Sequence, residues 1–154
     1  MRKMGFLLAT LLVGGCVRTS TNPATGKVDV DVESPTKKGE DWGARLNSTP
    51  AYPGVSGEVK VTVVNSQTDA TITVTGLAAG GTYPWHIHSG HCPNTGGIIG
   101  DPSAYPPLTV GGDGIARGSA HLNVGLQESK DYAVNVHASP SNLATIVACG
   151  DLAD

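Results

Sequence analysis

Glu58-Val59-Lys60-Val61-Thr62-Val63 and Ala70-Thr71-Ile72-Thr73-Val74-Thr75 alternate apolar and polar residues with a period of two. Successive strand side chains point to opposite faces, so each run buries one face and wets the other. Val64 extends the first run, and Asn65-Ser66-Gln67-Thr68-Asp69 between the runs reads as a polar turn. Further strand-like runs follow at Tyr83 to His88, Ile115 to Val124, Tyr132 to His137 and Ala144 to Cys149, with Gly76 and Gly80-Gly81 as punctuation before the first of them. No window carries a helical period. Short strands joined by Gly-, Pro- and Asn-rich turns predict an all-β sandwich or barrel, and 154 residues predict one domain.

Upstream of this region the composition changes. Arg2 and Lys3 precede an apolar run from Met4 to Val13, then Gly14-Gly15-Cys16. That is the order of a secretory signal, and the run is too short to span a bilayer as a helix, which takes roughly 20 residues. Leu12-Val13-Gly14-Gly15-Cys16 resembles a bacterial lipobox. By that resemblance residues 1–15 are a lipoprotein signal peptide and Cys16 becomes the lipidated first residue of the mature chain. Val17 is not Asp, so no inner-membrane retention signal is implied. The expected location is the bacterial cell envelope, at the outer membrane facing the periplasm. From Val17 to about Trp42 the chain is rich in Thr, Ser, Asn, Pro, Lys and Glu and has almost no aliphatic cluster. Residues 16–43 therefore read as a flexible tether with an end-to-end distance of about 30 Å. Within it, Lys27 to Val32 alternates and could form a short strand. The folded domain is expected over residues 44–154.

Loss of the signal leaves eight basic against thirteen acidic residues, a net charge of about −5. There is no basic stripe, which argues against nucleic acid as a partner. Three cysteines are an odd count for an exported chain. With Cys16 lipidated, Cys92 and Cys149 remain as an even pair in a compartment where disulfides persist. A bridge closing about 58 residues would stabilise by roughly 4 kcal/mol on the chain-entropy account.

The chemistry concentrates in three histidines. His86 and His88 lie two apart in Tyr83-Pro84-Trp85-His86-Ile87-His88, so both imidazoles share one strand face. His137 ends another strand-like run, Tyr132-Ala133-Val134-Asn135-Val136-His137. Three imidazoles suit copper or zinc, and the affinity order favours copper(II) at the same ligands. His91 is a candidate fourth ligand, with exposure on a turn as the favoured alternative. His121 reads as a surface histidine. Trp85 reads as a packing or rim residue, and Tyr105-Pro106-Pro107 as a rigid loop that could cover the site.

Taken in chain order, these motifs resemble the Cu/Zn superoxide dismutase family. Gly57 to Thr62 through Gly76-Leu77, then Gly81 to His88, is similar to that family's first strands and its copper-binding His-x-His. Leu108-Thr109-Val110 with Asp113-Gly114-Ile115-Ala116 is similar to the strand after its zinc loop. Val134-Asn135-Val136-His137 is similar to the strand of its last copper ligand, and Ile146-Val147-Ala148-Cys149-Gly150 to its terminal Cys-Gly strand. The resemblance spans roughly Ala44 to Leu152. It implies a Greek-key β-barrel of about eight strands, His86, His88 and His137 as copper ligands, and Cys92–Cys149 as a disulfide.

The departures from that pattern are as informative. No histidine lies between Cys92 and Leu108, and Asp101 is the only acid there, so the family's zinc ligands and bridging histidine have no counterpart. Ile146 stands where active members carry an arginine. The eleven residues between His137 and Cys149 include no charge, so nothing there draws an anion toward the metal. The resemblance thus implies an exported, lipid-anchored copper-binding protein that holds or relays copper, with weak or no dismutase activity and no zinc. An active copper-only superoxide dismutase and a metal-free envelope interaction domain are the alternatives.

Overall fold

The computed structural model describes residues 17–21, 28–32 and 39–154. Cys16 and the segment 1–15 lie outside them, so the lipidation and signal-peptide expectations concern residues beyond that description. The chain divides into two compact units, Met1–Lys37 and Lys38–Asp154. In the first, β1 (Val17–Thr21) pairs antiparallel with β2 (Val28–Val32). The alternation from Lys27 to Val32 thus forms its strand, paired with a second strand in the stretch read as a tether.

The second unit is all β apart from one 3-10 turn, Pro102–Ala104. Its strands are β3 (Glu40–Ser48), β4 (Ser56–Val64), β5 (Gln67–Thr75), β6 (Thr82–Tyr83), β7 (Trp85–Gly90), β8 (Thr95–Ile98), β9 (Leu108–Thr109), β10 (Ile115–Leu122), β11 (Tyr132–Ser139) and β12 (Asn142–Asp151). Eight of them form one antiparallel sheet in the order β10-β5-β4-β3-β12-β11-β7-β8. β12, the last strand, pairs beside β3, while the connections from β5 to β7 and from β10 to β11 each cross from one side of the sheet to the other. The sheet curls into a half-barrel. Short β9 crosses its open side: it pairs with β6, and Val110 just after it bridges to Ala116 of β10.

The hairpin that opened the sequence reading is present, but its turn is tighter than expected. Only Asn65 and Ser66 leave the strands, with φ of 52° and 62°, and Gln67 to Asp69 already belong to β5. Two successive left-handed residues give the turn whose twist matches paired strands. Strand β3 begins at Glu40, so the second unit starts before Ala44, and Trp42 is a core residue rather than part of a tether.

Alternation places the core as expected. Val59, Val61 and Val63 of β4 meet Ala70, Ile72 and Val74 of β5, with Leu46, Leu122, Trp85, Ile87, Val134 and Val136 in the same cluster. β7 and β11 differ from the outer strands because both of their faces are buried. Their inner pairs are Trp85 opposite Val136 and Ile87 opposite Val134; their outer pairs are His86 opposite Asn135 and His88 opposite Ala133. A bulge follows Val136, so that His137 lies opposite Ile146 with Val147 skipped. The segment after β7 folds over this outer face. It is pinned there by the Cys92–Cys149 disulfide, whose Cα atoms are 6.0 Å apart.

Candidate metal centre

The period of two sends His86 and His88 to the outer face of β7, and β11 brings His137 to the same face. The main-chain N–H of His137 donates to the carbonyl of Pro84 at 2.8 Å, fixing the end of β11 against the start of the histidine run. Each of the three residues offers a ring nitrogen, and these atoms lie within 4.8 Å of one another. All three residues are buried.

Their hydrogen bonds decide which nitrogen is available. His88 Nδ1 lies 2.9 Å from the Gly96 carbonyl of β8, and His137 Nδ1 lies 2.6 Å from the Leu143 carbonyl of β12. A carbonyl only accepts, so in each ring Nδ1 carries the proton and Nε2 keeps its lone pair. Those two Nε2 atoms, together with His86 Nδ1, are enclosed and have no hydrogen-bond partner. A buried unsatisfied polar atom costs about 1–3 kcal/mol, so three of them facing one point would be a large deficit for a small domain. A metal ion at that point satisfies all three at once. The donor set and the orphaned atoms therefore fit a bound metal ion, the ion being set by ligand softness and geometry rather than by the count of nitrogens alone.

The electrostatics agree. Burial, and then the neighbouring His137 and His88 rings, lower the His86 pKa to about 4. Burial also lowers that of His137, against a smaller opposing effect of its bond to Leu143. In both rings burial thus favours the neutral form, the one that ligates a metal.

Tyr105 closes one side. Its ring stands edge-on to His86, with centroids 5.3 Å apart, and edge-on to Trp85 at 5.2 Å. Its hydroxyl donates to the Ile99 carbonyl at 2.7 Å, and the Trp85 indole donates to the Pro106 carbonyl at 3.1 Å. The Tyr105-Pro106-Pro107 loop thus covers the histidines, and Trp85 is a packing residue. Burial pushes the Tyr105 hydroxyl pKa far up, so it stays a neutral donor.

The remaining sequence candidates lie elsewhere. His91 is not brought to the cluster: it is exposed, with Nε2 3.1 Å from Asp131 and Nδ1 3.7 Å from Asp151. Asp151 also accepts from the main-chain N–H of Cys92 at 2.7 Å, so two acids hold this turn at the surface. His121 is exposed and pairs with Asp69 across the β10–β5 ladder at 2.7 Å. Asp101 caps the 3-10 turn by accepting from the Ser103 N–H. Asn135 was not singled out by sequence reasoning. It sits on the histidine face opposite His86 and donates to Thr95 at 2.7 Å, tying β8 to the centre. A lone Asn inside an apolar strand was the available signal.

Comparison with protein-family models and with curated proteins yielded no match to this chain.

Proposed function

We propose that this chain is an exported, lipid-anchored copper-binding protein on a scaffold like that of Cu/Zn superoxide dismutases, and that it holds or relays copper at the cell envelope. The observation that carries the reading is the trio of enclosed, unpartnered imidazole nitrogens on His86, His88 and His137. Copper, when bound, supplies a centre that can take and give one electron. The residues of this chain orient it: Gly96 and Leu143 carbonyls fix the tautomers of His88 and His137, and Tyr105 and the disulfide-pinned segment keep water from the ligand atoms. Copper is favoured over zinc at three imidazoles by the affinity order.

Carriage is favoured over turnover because the stretch from Ala138 to Ala148, which runs from His137 to the disulfide, carries no charge. Ile146 lies directly opposite His137 on β12. Arg117 is paired with Asp113 on another strand at 2.8 Å. Among the described residues, no side chain on this stretch of β12 adds to the field of the metal itself to steer a small anion in.

Metal analysis of protein purified from the periplasm under limiting copper tests the proposal. About one copper per chain and little zinc is the expected result. The His88→Ala/His137→Ala double variant should take up none. Stoichiometric copper in that variant would place the site elsewhere.

A further inference from the structure

Two of the three ligand rings are capped from within the chain, and the third is not. His88 and His137 each donate Nδ1–H to a main-chain carbonyl. The ring of His86 turns Nδ1 into the cluster, while its Nε2 makes no hydrogen bond among the described residues and is not one of the enclosed atoms. His86 also lines a groove of about 310 Å³ between the Pro102-to-Pro107 segment and the turn joining β11 to β12. Pro84, Pro102, Tyr105, Pro107 and Leu143 wall it, and no charged side chain lines it. The prolines carry no N–H, and the Tyr105 hydroxyl is committed to Ile99. Asp101, beside the rim in sequence, holds its carboxylate on Ser103.

A neutral imidazole with its Nδ1 on a metal carries its proton on Nε2, which makes that atom a donor. Metal-bound imidazoles almost always give this second N–H to a carboxylate, a carbonyl or water. Here the ring that carries it lines an apolar groove. We infer that the groove binds a small monocarboxylate with an apolar body, whose oxygen accepts from His86 Nε2–H while the body lies against Pro107 and Leu143. An ionised acceptor makes the stronger bond to such a donor. A cation on the other side of the ring favours an anion nearby, and no acid lines the walls to oppose it. The volume is at the lower end of small-ligand sites, which begin at about 300 Å³. This inference rests on the metal reading for the strength of binding, because the metal fixes the proton on Nε2, while the groove itself does not depend on it.

Benzoate is titrated into the mature chain, zinc-loaded and metal-free, with benzamide and acetate as controls. The His86 ring and the Leu143 methyl groups are followed by NMR. Saturable benzoate binding is expected in both forms, tighter by about tenfold with zinc, and by linkage benzoate should tighten zinc to the same extent. Benzamide, which lacks the charge, and acetate, which lacks the apolar body, should both bind more weakly. Ser103→Asp puts a carboxylate at the rim. It should weaken benzoate by about tenfold and leave zinc uptake unchanged, since Ser103 is exposed and the main-chain N–H it gives to Asp101 is kept. A chain that takes up neither copper nor zinc yet binds benzoate at Leu143 sinks the metal reading and keeps the groove. Benzoate that fails to saturate in either form, or binds no more tightly than benzamide, overturns the inference.

Discussion

Lowering the pH of the metal-free protein from about 7.5 to about 4.5 should destabilise it through His86. In the unfolded chain this ring takes a proton near 6.5; in the fold, burial and its two histidine neighbours hold that step down at about 4. Between these values the unfolded state binds more protons than the native state, so stability falls as pH falls. The contribution is whole above about 6.5, drains away on the way down, and stops changing below about 4. Integrated to about pH 4.5, the loss is on the order of 2–3 kcal/mol, and the lowered pKa of His137 adds to it in the same direction. Urea denaturation of wild type and His86→Gln at both pH values isolates the effect. Carboxylates titrate in both proteins, whereas the ring titrates only in wild type. Wild type should lose on the order of 2–3 kcal/mol more than the variant over this interval. Equal losses would mean that the cluster does not hold His86 neutral, and the desolvation reasoning behind the site would fail.

Three further outcomes are expected. Replacing both Cys92 and Cys149 by Ala removes the clamp on the segment over the histidines and should cost about 4 kcal/mol, or about 15 °C in Tm; a drop under about 3 °C would refute the loop-closure argument. Tyr105→Phe loses only the bond to Ile99, about 1 kcal/mol by thermal denaturation, and should leave copper affinity intact, whereas Tyr105→Ala opens the centre and should speed copper loss to a chelator. In pulse radiolysis, the copper-loaded protein should dismutate superoxide orders of magnitude below the ceiling of about 10⁹ M⁻¹s⁻¹; Ile146→Arg, beside His137, should raise the rate and added salt should lower it again.

The parts of the fold that could be read from the sequence are those where a single face is buried. In β4 and β5 the alternation is clean, and both strands form where it lies. Strand β3 was hidden because Glu40-Asp41 and Gly43 surround Trp42, so a buried set of Trp42, Ala44 and Leu46 looks like a polar stretch. Strand β8 is Thr95-Gly96-Gly97-Ile98, and two glycines carry no periodicity at all. The histidine trio was legible because its spacing is a strand's spacing. Its support was not, since the acceptors on Gly96 and Leu143 are main-chain carbonyls that any residue could provide. Exposure of His91 was the favoured reading of the sequence, but the acids that hold it, Asp131 and Asp151, come from distant parts of the chain and could not be named from it.

The two-sided burial of β7 and β11 has an evolutionary consequence. Every other residue of these strands answers to the packing of the barrel, and the residues between them include the three histidines of the candidate metal centre. Selection on the chemistry and selection on the fold thus act on interleaved but separate positions. A lineage of this protein could change or lose the capacity to hold a metal by drift at His86, His88 and His137 alone, while Trp85, Ile87, Val134 and Val136 go on specifying the same barrel.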